Sequence, residues 1–250
     1  MDSLIAAMGF SSTLDLLAIS PPGWGGNLLR GLWNSVQIAL GAFGLGVLIG
    51  IFGAYGKLYG GPILRDVLAI YTTIVRAVPE LILILILYYA LTQAVNDLLV
   101  SMGRGKIELS GVASGIAVLG VVQGAYATEV LRGAILAVPH GQIEAARAFG
   151  MPPLKLAWRI TLPAMLAFAL PGLANLWLIA TKDTALLAVV GFGELTLQTR
   201  QAAGATKAYF TFFVAAGVLY LLLSLVSTWL FGRAEAWARR GEPRHGGGGR

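Results

Sequence analysis

Six ionisable side chains sit inside or at the edge of long apolar runs of this sequence: Arg76, Glu80, Glu129, Arg132, Lys182 and Asp183. A charge in hydrocarbon is costly, so such groups face a bundle interior or a water-filled path and mark routes for ions or solutes. Arg76 and Glu80 are four apart, which puts them on one face if their run is a single helix. Pro79 beside them removes one backbone bond and frees a carbonyl for a partner. Counted from Val67, Glu80 is roughly 20 Å along the run, past the middle of a ~30 Å hydrocarbon core. Two readings stand: an internal Arg76–Glu80 ion pair, or Glu80 as the recognition group for a cationic solute. Glu129 and Arg132, three apart, read as a structural ion pair. Lys182 and Asp183 are adjacent and share no helix face. Lys182 is expected to snorkel to the interface. Asp183, followed by Thr184, is expected to cap a helix break or to contact solute.

Other chemistry is thin. Cysteine is absent and the two histidines, His140 and His245, are far apart, so neither thiolate chemistry nor a metal site is expected. No G-x-x-x-x-G-K-[ST] loop is present, and no nucleophile–base–orienter arrangement is visible. The chain is expected not to be an enzyme and to hold no cofactor of its own. If it drives uphill transport, the energy must come from a partner or an ion gradient.

The elements that position these residues are membrane spans. The chain is 57% hydrophobic and 12% charged, with a mean hydropathy of +0.76. Five apolar runs of 20 residues or more can be drawn, at about 32–55, 67–94, 112–138, 164–190 and 208–231. The fold class expected is all-α and integral to the membrane. The net charge of +6 does not indicate nucleic acid, because the basic residues flank the apolar runs. With the N-terminus outside, Lys57, Arg65, Arg147, Lys155, Arg159, Arg233, Arg239, Arg240, Arg244 and Arg250 fall inside. Arg104, Lys106, Arg200 and Lys207 fall outside. Ten against four favours N-out, C-in. Gly46 and Gly50, and Gly120 and Gly124, form two G-x-x-x-G faces for helix packing. The fifth run is Leu/Val/Phe-rich and reads as packing. The N-terminus lacks a basic leader region and reads either as an amphipathic interfacial segment kept in the mature chain or as a disordered leader. The Gly-rich tail reads as disordered.

Between the third and fourth runs lies Gly141–Pro163, GQIEAARAFGMPPLKLAWRITLP. Glu144, Arg147, Lys155 and Arg159 forbid insertion, at roughly 2.5–3.5 kcal/mol per charge at a helix centre. Gly150 is placed to end a first short helix, Met151 to be extended before Pro152, and Pro153 to open a second. Leu162-Pro163 is then expected to restart the chain into the fourth span. The stretch is either an amphipathic connector on lipid or a docking element for a soluble partner.

The spacing within it is informative. Glu144-Ala145-Ala146, three residues, Gly150, nine residues, Ile160, one residue and Leu162-Pro163 resembles the EAA loop of ABC-importer permeases. The resemblance spans about residues 25–235. Residues 71–91 are similar to the family's R-G-x-P segment, with Ala77 in place of the usual Gly. Residues 125–146 resemble the lead-in to the loop, and 181–195 the K-D-[TS]-[SA]-L segment. The five-span, N-out layout is that of the small polar-amino-acid permeases. Subunits of histidine, lysine/arginine/ornithine and opine importers carry an acid after the proline, here Glu80.

The resemblance implies a type I importer permease for basic amino acids or opines. Gly141, Glu144, Ala145, Ala146, Gly150, Ile160, Leu162 and Pro163 would then couple to a homodimeric cytoplasmic ATPase that binds the ATP. Glu80, Arg76 and Asp183 would contact substrate. Five spans are too few for a whole path, so a second permease, identical or paralogous, is expected, with a periplasmic solute-binding protein delivering substrate. Residues 1–28 would be a periplasmic segment, 29–235 the permease domain with its loop at 141–163, and 236–250 a cytoplasmic tail, all in a bacterial inner membrane. The rivals are an ion-gradient-driven transporter or channel, an importer of other polar amino acids, and a non-transporting scaffold. The charge count makes one direct prediction. A C-terminal epitope tag in intact spheroplasts should resist externally added protease, and digestion there would reverse the topology.

Overall fold

The computed structural model describes residues 15–106 and 111–238. Half of the N-terminal segment (residues 1–14) and nearly all of the Gly-rich tail, each read above as a separate region, lie outside these residues. A short 3-10 turn, Asp15–Leu17, leads into α1 (Gly25–Tyr59), α2 (Pro62–Ala77), α3 (Glu80–Ser101) and α4 (Gly111–Leu136). Then come α5 (His140–Ala148), α6 (Pro153–Leu156), a π turn at Ala157–Thr161 and α7 (Leu162–Asp183). A 3-10 helix (Thr184–Val190), α8 (Leu195–Thr206) and α9 (Tyr209–Ala238) complete the described residues. Among the described residues, five stretches are long and apolar enough to cross a membrane: Gly25–Tyr59, Glu80–Ser101, Gly111–Leu136, Pro153–Val190 and Tyr209–Ala238.

The bundle is built on α1 and α4. Gly46, Gly50 and Gly53 of α1 meet Gln123, Ala127 and Thr128 of α4, and in return Gly120 and Gly124 lie against Leu45 and Ile49. Both G-x-x-x-G faces therefore pack, and they pack on each other, which lets the backbones approach closely. α7 adds to α4 through Met165, Ala169, Leu173 and Leu176, against Ala127, Leu131, Ala134 and Ile135. α9 is held mainly at its ends. Phe212 and Ala216 pack on Leu195, Ala202 and Ala203, and Phe231 meets Phe43 and Trp177 edge-on or tilted.

The second span differs from expectation. The run read as 67–94 is two helices, because Pro79 has no N–H to donate and its ring would strike the carbonyl four residues back. The residue before it is forced out of helical space. Val78 is extended at ψ 139° and Pro79 follows at ψ 133°. Arg76 thus lies in the last turn of α2 and Glu80 opens α3, so the two do not share a helix face.

The 141–163 stretch is half as expected. α5 forms, Gly150 takes φ +69° and closes it, and Pro153 starts the next turn. The chain does not restart at Leu162-Pro163, however. From Pro153 onward it runs without a break into α7. The Leu162 N–H reaches the Ala157 carbonyl five residues back, a π-type bond. That wider turn accommodates Pro163, which cannot donate to the Arg159 carbonyl. The second helix is therefore the membrane span itself.

At the other end of the bundle, α8 had no counterpart in the sequence reading. Glu194 caps it, accepting from the backbone N–H of Thr196 (2.8 Å) and Leu197 (2.7 Å). Tyr220 and Ser35 donate to the same carboxylate, at 3.1 and 3.4 Å, which joins α1, α8 and α9. Burial pushes the Glu194 carboxyl above the ordinary carboxylate range, against the pull of those donors.

The α1–α4 contact gives a paired prediction. A Cβ at Gly50 would sit 2.6 Å from Ala127 Cβ and 2.9 Å from its backbone carbon, whereas one at Gly44 meets nothing within 4 Å. Gly50→Val should lower the unfolding temperature of the purified protein through about 1–3 kcal/mol of overpacking. Gly44→Ala should leave it unchanged or raise it. Equal effects would show that the close approach does not hold the bundle together.

Candidate solute site and coupling loop

Two interrupted helices meet at mid-depth. α2 stops at Ala77 and α3 begins at Glu80, while α7 stops at Asp183 and continues as the 3-10 helix. The Glu80 and Asp183 carboxyls lie within electrostatic reach of each other, and the Glu80 charge also acts on the Tyr126 hydroxyl. Gln123 Nε2 donates to Asp183 Oδ2 at 3.3 Å. Gln123 and Tyr126 are three apart near the middle of α4, roughly 18 Å from its Gly111 end. Glu80, Asp183, Gln123 and Tyr126 therefore form one polar cluster inside an apolar bundle. Asp183 is buried, Glu80 half-buried and Gln123 fully enclosed.

The structure distinguishes between the earlier readings of these groups. Arg76 and Glu80 form no salt bridge. The salt bridges among the described residues belong to Glu129. The Arg76 side chain is exposed, and its charge is felt at Tyr126. Asp183 does not cap the helix break with its side chain. Thr184 Oγ1 instead bonds back to the Thr181 carbonyl at 2.8 Å, which leaves the Asp183 carboxyl for Gln123 and Glu80. Lys182 is exposed and its charge acts on Asp183. Gln123 and Tyr126 escaped the sequence reading. Neither is charged, and only the fold brings them to residues 43 or more positions away.

One to two turns further along α4, Glu129 pairs with Arg132, whose Nε and Nη2 reach Oε2 at 3.0 and 2.9 Å. The pair is a network. Lys57 of α1 bonds Glu129 Oε1 and also Thr72 of α2, the latter at 2.9 Å. It joins three helices, and Lys57 lies 72 positions from Glu129, beyond any local spacing rule.

The loop follows directly. Three residues separate α4 from α5. Ala146 is buried and Ile143 packs toward Val138 and Met165, while Gly141, Glu144, Ala145 and Arg147 face outward. Gly150 and Pro163 are exposed, Ile160 and Leu162 half-buried. A pocket of about 440 Å³ lies between Tyr55 and Tyr59 of α1 and the hinge residues Arg147, Met151 and Pro153. α5 thus presents an acid-bearing outer face on an apolar seat.

With that geometry in view, residues 46–240 match the family described as the inner membrane component of binding-protein-dependent transport systems. The chain belongs to this family. It is 42% identical over 231 residues to the nopaline transport system permease protein NocQ of Agrobacterium fabrum, covering 91% of this chain and 98% of that one. It is 39% identical over 205 residues to the histidine/lysine/arginine/ornithine transport system permease protein HisQ of Escherichia coli, covering 82% and 90%. Among solved structures, an amino acid ABC transporter with histidines superposes at a TM-score of 0.72 and 27% identity, covering 86% of this chain and 95% of that one. The inward-facing MetNI methionine transporter, at 0.74 and 21% identity, shares the fold. This protein is a multi-pass permease subunit of the ABC-importer class, a transport component rather than an enzyme.

The Glu129 network predicts a graded response. Glu129→Ala strands two cations, one of them mostly enclosed, and should cost about 1–3 kcal/mol. Arg132→Ala leaves the Lys57–Glu129 pair intact and should cost less. Thermal unfolding of the purified variants checks the order, and the reverse order would mean that Lys57 is not anchored through Glu129.

Proposed function

We propose that this permease forms half of the translocation path of an ATP-driven importer for basic amino acids or the related opines. The observation that carries the reading is the Glu80–Asp183 carboxyl pair at the junction of two interrupted helices, with no salt bridge to either among the described residues. Two acids at mid-depth are costly unless a positive group joins them, and an ammonium or guanidinium would do so. An acidic solute would be repelled. Relatives named for nopaline, octopine and histidine/lysine/arginine/ornithine transport point the same way. Arg76 stands close enough to meet a substrate carboxylate.

The remaining assignments belong to the same proposal. The N-terminus is outside, the tail inside and the membrane a bacterial inner membrane, with residues 1–28, 29–235 and 236–250 as flank, permease domain and tail. The outer face of α5 and the hinge seat on a homodimeric ATPase that binds the ATP, and a periplasmic solute-binding protein delivers substrate. A second permease, identical or paralogous, completes the path. The exposed apolar rows of α2 and α3, including Ile63, Val67, Ile70, Ile74, Ile82 and Ile86, offer it a surface. Nucleotide binding would shift the complex between two global states.

Uptake by the complex reconstituted in proteoliposomes tests both halves. Glu80→Leu should abolish uptake of cationic amino acids while subunits still co-purify, and unchanged selectivity would remove Glu80 from the site. Glu144→Lys should uncouple ATPase from transport, and normal uptake with the ATPase still bound would end the docking assignment.

A further inference from the structure

Gln123 is 1% exposed, and its two amide atoms have different fates. Nε2 donates to Asp183, while Oε1 is buried with no hydrogen-bond partner among the described residues. Leaving a buried carbonyl unmatched is costly, and most such groups in folded proteins find a donor. The side chain has little freedom to turn away. A Cβ at Gly46 of α1 would fall 2.8 Å from Gln123 Cβ, so the neighbouring backbone lies directly on the stem. The hydrogen bond to Asp183 then sets which way the amide faces.

We infer that Gln123 is a specificity-determining residue, whose carbonyl oxygen accepts a hydrogen bond from a guanidinium held between Glu80 and Asp183. This rests on the reading of those two acids as the solute site. Three acceptor groups from three helices are linked here: the Asp183 carboxyl holds the Gln123 amide and lies within electrostatic reach of the Glu80 carboxyl, and the Gln123 carbonyl is an acceptor with no donor among the described residues. A guanidinium is planar, carries five N–H donors and offers three edges, so it can satisfy separated acceptors at once. An ammonium is a compact point charge with three donors and does not span them equally well. The site therefore selects guanidinium solutes, arginine and arginine-derived compounds, over primary amines.

The test measures binding of L-arginine and L-lysine to the purified permease–ATPase complex without the solute-binding protein. The wild type should bind arginine with a Kd about tenfold below that for lysine, the worth of one charge-assisted hydrogen bond. Equal Kd values in the wild type overturn the inference without any variant. Gln123→Met removes the acceptor at similar volume and should bring the arginine-over-lysine preference to about one. Gln123→Glu keeps an acceptor oxygen and should retain it. A preference unmoved by Gln123→Met also overturns the inference. Glu80→Leu is measured in parallel. If it leaves both substrates bound normally, the underlying site assignment is what has failed.

Discussion

The structure depends on how closely α1 and α4 lie. Glycines at 46, 50 and 53 on one helix and at 120 and 124 on the other bring the backbones together along much of their shared length. In lipid there is little hydrophobic force between helices, so association rests on close van der Waals contact, and only small residues allow it. Several polar groups of the bundle are placed by that contact. Gln123 is held by Gly46, Thr128 Oγ1 lies where a Gly53 side chain would go, and the end of α1 brings Lys57 to Glu129. Widen the contact and the polar cluster loses its fixed side.

Helix interruption supplies the rest. A continuous span satisfies its backbone internally and offers a solute little but side chains. Here Pro79 ends one helix and lets the next begin at Glu80, and α7 changes to a tighter helix after Asp183. Both changes occur at the level of Gln123 and Tyr126. Loose helix ends near the midplane are tolerated where they are buried or line a cavity, and transporters use them to address charged solutes. Each acid is next to an interruption, and each is apart from the cation that precedes it. Glu80 is separated from Arg76 by the extended Val78-Pro79 link. Asp183 points to α4, while Lys182, its neighbour in sequence, remains exposed.

What could be read from the sequence follows the range of the forces involved. Span number, the α5 helix, the Gly150 stop and both glycine faces are local patterns with fixed spacing, and all were legible. The Glu129–Arg132 pair was legible for the same reason. Lys57, Tyr126 and Gln123 were not, because their partners come from other helices and the residues themselves look like packing or flank. Pro79 splits the second run, so Arg76 and Glu80 lose the shared face that a spacing of four implies. Pro163 misled in the other direction, since a π turn absorbs a proline that seemed to require a restart. Glu194 lay inside a segment that had been noted, but its capping role needed Ser35 and Tyr220 to make it visible.

The loop and the cluster are joined by more than proximity. From α5 one route runs back through Pro139 into α4 and reaches Gln123. From the hinge the other runs forward from Pro153 through α7 and ends at Asp183. The second rod is continuous for about thirty residues, or roughly 45 Å at helical rise. The two rods leave opposite ends of one short loop and finish at the two partners of a single hydrogen bond, Gln123 to Asp183. Packing between α4 and α7 resists their sliding, with Val130 seated over Gly172. The Glu129 network fixes α4 to α1 and α2, whereas α7 carries the π turn at its loop end. That shared hydrogen bond lies beside Glu80.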